Sequence, residues 1–190
     1  MRYQTITPDN RIVNHTAFGR RLRRFLRKAD QRALLPRGAT WRTDGAWMLA
    51  DALEHWSRGR LKVVCLCRPD GRIEHVAAVD TEAHVFIDGD GIAAPVELMA
   101  KMALLRRAPN LVVRELVAAD ARAAGLPYLE DVALELAMRL LRRFARYRAD
   151  LLALGGDSGL LTAIGYPDFS LGQARAAARR QVCPDAAAYA

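Results

Sequence analysis

The chain has 190 residues and 52% hydrophobic side chains, enough for one packed core and too many for wholesale disorder. Its formal net charge of +8 permits attraction to nucleic acid, anionic lipid or an acidic protein, and chooses none of them. No apolar run approaches the ~20 residues of a membrane span, and the opening MRYQTITPDN has no apolar leader core, so a cytoplasmic protein is expected.

Arginine supplies nearly all the positive charge, with lysine only at Lys28, Lys62 and Lys101, a habit common in Arg- and Ala-rich bacterial-type sequences. The three cysteines, Cys65, Cys67 and Cys183, form no ladder, which argues against a disulfide framework or a zinc ribbon. Cys65 and Cys67 share one face of an apolar strand and read as small core residues of a reduced protein.

In chain order, 1–13 reads as extended or irregular. Residues 15–35 read as one helix, with Phe18, Leu22, Phe25, Leu26, Ala29 and Ala33 at three- and four-residue steps and Asn14 or Thr16 as cap. Arginines at 20–28 cover the rest of its surface, and Pro36-Arg37-Gly38 ends it. Asp44 is the expected N-cap of a second helix, 46–56, whose apolar positions are 46, 49, 50, 53 and 56. Three strands follow at 61–67, 72–79 and 84–88, joined by short turns such as Pro69-Asp70-Gly71, and these predict an antiparallel meander. Beyond 95 the reading is mostly helical, at 95–106 and 129–153, with a strand at 111–117 between them. Gly155-Gly156-Asp157-Ser158-Gly159 reads as a joint, and Ser170-Leu171-Gly172-Gln173 as the capping box of a short last helix.

The stretch 43–91 carries the chemistry. Gly45-Ala46-Trp47 opens a helix, Glu74-His75-Val76-Ala77 lies in the second strand, and Phe86-Ile87-Asp88-Gly89-Asp90-Gly91 ends the third. A helix start lowers a thiol pKa and offers free N–H groups to an oxyanion. A histidine across the cleft can take a proton, and a carboxylate beside it fixes the tautomer. If the strands are neighbours, His75, sharing a face with Ile73 and Ala77, lies beside Asp88 on the helix-facing surface.

This order resembles the papain-like and transglutaminase-like cysteine hydrolases, including the NlpC-type peptidases, over about a quarter of the chain. The resemblance implies an α+β, papain-like fold: a helix packed on a small antiparallel sheet, with additional N- and C-terminal helices. The expected organisation is a single domain, 1–190, made of a basic helical extension (1–38), a papain-like core (39–118) and a C-terminal helical part (119–190). The implied site is a Cys–His–Asp triad at positions 46, His75 and Asp88, flanked by Gly45, Trp47 and Asp90 as binding residues. The implied activity is amide hydrolysis or acyl transfer on a protein or peptide, with no cofactor.

Alanine at position 46 cannot attack a carbonyl. Either a natural cysteine is missing from an inactivated variant, or the chain is a pseudoenzyme that binds a protein partner, and both readings stay open. Asp90 competes with Asp88 for the role of the acid. A calcium loop on Asp88-Gly89-Asp90-Gly91 fails because residue 99 is methionine, not the glutamate such a loop needs. His75 and His84 lack a third ligand, so no metal is expected. A basic nucleic-acid-binding protein ranks last, since no helix-turn-helix, zinc or stacking-aromatic signature accompanies the arginines at 20–28 and 139–146, which read as solvated faces.

Overall fold

The computed structural model describes residues 17–80, 85–93, 95–108 and 110–148. The fold is α+β: helices pack on a small antiparallel sheet of five strands. In chain order these are β1 (Lys62–Cys67), β2 (Ile73–Asp80), β3 (Val85–Asp88), β4 (Gly91–Ala93) and β5 (Val112–Glu115). Their spatial order is β4-β3-β2-β1-β5, so the expected meander forms and β5 returns to the free side of β1. The turn from β1 to β2 is set locally. Gly71 sits at φ +89, where a side chain is strained, and Asp70 Oδ1 accepts the Arg72 N–H at 2.9 Å.

Alternation along the strands makes two buried faces. Val63, Cys65, Val76, Ala78 and Ile87 join the larger core, built around α3 (Ala46–Trp56). Val64, Leu66, Ala77, Val79 and Phe86 pack with Leu98 and Met102 of α4 (Pro95–Arg106). The larger core also takes Phe18, Leu22 and Phe25 from α1 (Ala17–Leu26), and Leu136 and Leu140 from α6 (Glu130–Arg143). Phe18 stacks on Trp56 at 5.5 Å, and Phe144 meets both Phe18 and Phe25 edge-on. Each such side chain contributes roughly 1.5–3 kcal/mol by leaving water. Of the basic extension read at 1–38, α1 therefore shares one core with α3 and α6.

Several elements differ from the sequence expectation. The helix expected over 15–35 is broken: Lys28 is extended (φ −64, ψ 148) between α1 and α2 (Ala29–Arg32). The break buries Gln31 and presents the Asp30 carbonyl to Arg139 Nη1 at 2.9 Å, so a tertiary contact overrides helix periodicity. The helix expected over 129–153 is interrupted: Phe144 leaves helical geometry (φ −118, ψ 26), the helix resumes over 145–148, and Arg148 Nε donates to the Trp56 carbonyl at 2.6 Å, while 149–153 lie outside the described residues. The short β4 and α5 (Ala118–Ala123) carry too few residues to show a period and were not expected. The capping residues Asn14 and Thr16, His84, the joint at 155–159, the last helix and Cys183 lie outside the described residues.

The strand register also corrects one expectation. His75 pairs with Leu66 but Cys67 pairs with Ile73, which leaves Glu74 as a bulge. Ile73 therefore packs on the α3 side, whereas His75 follows Leu66 and Ala77 to the α4 side. The histidine does not share a face with Ile73, and its surface is not the one that α3 covers.

Candidate functional site

Residues 41–45 make tight turns that deliver the chain into α3. Gly45 N–H bonds the Thr40 carbonyl at 2.9 Å and Ala46 N–H bonds Thr43 at 3.1 Å. Gly45, expected as a binding residue, has a packing role here. A Cβ on it would sit 2.9 Å from the Trp41 ring and 3.1 Å from Leu35. Gly45 is also the N-cap, and Asp44 is not: no side chain caps this helix. The turns aim the Asp44 carboxylate back at Thr43 Oγ1, which donates to it at 2.7 Å and holds its pKa below the ordinary value. Leu49 N–H already bonds the Gly45 carbonyl, so among the described residues the amides of Trp47 and Met48 are the uncapped donors of the first turn.

His75 Nε2 lies 2.9 Å from Asp88 Oδ2, with both side chains buried. The bulge at Glu74, beside the start of β2, and the end of β3 bring them together although they are not register partners. The carboxylate has further partners that the sequence reading missed. Lys101 Nζ, from α4, donates to Asp88 Oδ2 at 2.7 Å and meets Asp90 Oδ2 at 2.5 Å as an ion pair off the hydrogen-bonding direction. Asp88 Oδ1 accepts the Asp90 N–H at 2.8 Å, and Arg42 Nε pairs with Asp90 Oδ1 at 2.7 Å. The result is a cluster of two buried carboxylates, one buried ammonium and one partly exposed guanidinium, whose charges cancel when His75 is neutral.

Burial alone would raise the Asp88 carboxyl. The Lys101 charge, and then the hydrogen bond and charge of His75, outweigh it and hold Asp88 well below the usual carboxylate range. Burial alone would lower Lys101, but the charges of Asp88 and Asp90 raise it, so the lysine stays charged. Lys101 had one signal in the sequence. It stands among apolar neighbours in Leu98-Met99-Ala100-Lys101-Met102-Ala103, where a lysine that is buried must find a partner.

Ala46 and His75 line the same cleft of about 240 Å³, at the end of the sheet where α3 begins, β2 begins and α4 ends. Asp88 stands behind the imidazole and is not in the wall. Trp47 forms one side of the cleft and packs on Tyr128 with ring centroids 4.4 Å apart. Tyr128 donates to Asp51 Oδ2 at 2.9 Å, which ties the loop carrying Leu126 and Pro127 to α3. Burial, followed by the Asp51 bond, pushes the Tyr128 phenol up. Arg42, Arg72 and Arg106 also line the cleft, and Arg72 pairs with the buried Glu74 at 3.3 Å. His75 uses Nε2 for Asp88, and among the described residues Nδ1 carries no hydrogen bond. A general base in this cleft would work through that atom.

Cys65 and Cys67 line no part of the cleft. Their sulfurs are 3.4 Å apart inside the sheet, and burial, then the bond with Cys67, pushes the Cys65 thiol up to about 11. Among the described residues no three His, Cys, Asp or Glu side chains converge as a metal site. No helix among them is long and apolar enough to cross a membrane. No family model matches the chain, and no match was found among curated proteins or solved structures.

Proposed function

We propose that the chain is a cysteine-hydrolase-like protein of the papain/transglutaminase type whose nucleophile position holds Ala46, so that it binds an acyl substrate without cleaving it. One observation carries this reading: the first residue of α3 and His75 share a cleft, and a buried carboxylate bonds Nε2 of that histidine. With a thiol at position 46, His75 Nδ1 would take the thiol proton and sulfur would attack the acyl carbon. The Trp47 and Met48 amides stand where first-turn donors could hold the oxyanion. The amine would leave with the proton, and water or a second amine would release the acyl group. Asp88 would orient the imidazole.

The experiment is chemical. An Ala46→Cys protein should react with iodoacetamide at mildly acidic pH much faster than the present chain. Cys65 and Cys67, buried and with Cys65 pushed up, should contribute little. His75→Ala in that background should remove most of the gain. A new thiol with no dependence on His75 would overturn the reading.

A purely binding role, as a pseudoenzyme, is favoured by the charge cluster itself. Lys101 already neutralises Asp88, so the network is complete without any substrate. The two readings part on whether Ala46→Cys, once reactive, turns over amide or ester substrates.

A further inference from the structure

A second and larger concavity, about 690 Å³, lies beside the cleft and shares Arg42 with it. Its accessible apolar lining is aliphatic, from Ala29, Ala33, Pro36 and Ala39, over the buried Leu26, Leu35 and Trp41. Its walls carry Arg27, Arg32 and Arg37, all exposed, and no acidic residue lines it. None of these three arginines makes a side-chain hydrogen bond or ion pair among the described residues. Arg60, Arg68 and Arg139 by contrast hold Asp80, Glu74 and Glu135, whereas Arg142 and Arg143 on α6 are, like the groove's three, exposed and without such a partner among the described residues.

We propose that this groove binds an acidic, aliphatic peptide segment of a partner protein, with carboxylates on Arg27, Arg32 and Arg37 and apolar side chains on the floor between them. Charge complementarity sets the sign of the occupant. The floor sets its chemistry. Single-stranded nucleic acid needs aromatic faces for its bases, and the groove's one tryptophan is 4% exposed. The +8 charge of the chain disfavours a second copy. Gly89 also lines the groove, and a Cβ there would lie 2.5 Å from the Trp41 carbonyl oxygen, so the turn bearing Asp88 and Asp90 rests on the groove's floor. A peptide in the groove reaches Arg42 and then the cleft; only this last step rests on the hydrolase-like reading, and it makes an acidic peptide the substrate class.

The test is an array of ten-residue peptides in three sets, acidic-aliphatic, acidic-polar and basic-aliphatic, probed with the full chain at physiological salt. Duplex and single-stranded DNA are titrated in parallel. Acidic-aliphatic peptides should be enriched. Their affinity, by fluorescence anisotropy, should fall at least tenfold with Arg32→Glu/Arg37→Glu and with Ala33→Glu, which puts a carboxylate at the exposed groove wall. Arg142→Glu/Arg143→Glu, an equal charge change on α6, should alter it less than twofold. No enrichment of the acidic-aliphatic set would overturn the proposal. So would equal losses in the groove and α6 variants, or tighter binding of DNA that the groove variants abolish. Because these measurements use the chain with Ala46, they succeed or fail independently of thiol chemistry at position 46.

Discussion

The two faces of the sheet are built on different physics. Under α3 the contacts are almost wholly apolar, with Leu53 and Ile87 fully buried. Under α4, the apolar patch of Leu66, Phe86 and Met102 adjoins four buried ionisable side chains, His75, Asp88, Asp90 and Lys101. Apolar burial stabilises a fold wherever it occurs. Buried charges do so only when each has a partner, and an apolar replacement of the set is often as stable. The α3 side is what a domain of this size needs in order to fold. The α4 side holds more charge than folding requires, and it holds it against the histidine that faces the cleft.

That contrast is sharpest at Lys101. Lys101→Met leaves two buried carboxylates facing each other and should cost about 3–5 kcal/mol, measured by urea denaturation. Adding Asp88→Asn and Asp90→Asn should recover most of that loss. If Lys101→Met alone is neutral, the cluster is solvated and the contrast is wrong. On the other face, Leu53→Ala should cost about 2–5 kcal/mol by leaving a cavity, and no second substitution of charge or hydrogen bonding should restore it.

The cluster also gives the protein a pH window. Asp88 is depressed, so its contribution is complete above the unfolded carboxylate value of about 3.9 and is lost as pH falls through the lower folded value. Lys101 is raised, so its contribution is complete below about 10.4 and is lost as pH climbs through the higher folded value. Thermal melts of the present chain should show a plateau between those limits. In the triple variant the acid limb should be shallower. An unchanged acid limb would move the acid-sensitive group elsewhere. The smallest effect belongs to the surface: Glu135→Ala removes an exposed partner of Arg139 and should change stability by no more than about 0.5 kcal/mol.

The same division governs what could be read from the sequence. α3 and the three central strands were legible because their apolar periods are strong and Gly71 and Asp70 mark the turn. The break at Lys28 was not, because its cause is Arg139, more than a hundred residues away. His75 and Asp88 stood out through their order behind Gly45-Ala46. The face they occupy did not, since one bulged residue, Glu74, reverses the alternation and leaves no mark in composition. Arg42 was invisible because an arginine before a helix reads as solvated surface; only the fold brings Asp90 to it.

The central claim is that position 46 and His75 form one chemical unit. The most direct measurement is the pH dependence of iodoacetamide alkylation of the Ala46→Cys protein, compared with its His75→Ala and Asp88→Asn derivatives. The midpoint should lie well below the ordinary thiol value of about 8.5. That displacement should be lost with His75→Ala and change less with Asp88→Asn, because Asp88 acts on sulfur only through the imidazole. A midpoint near 8.5 that is the same in all three proteins would contradict the claim.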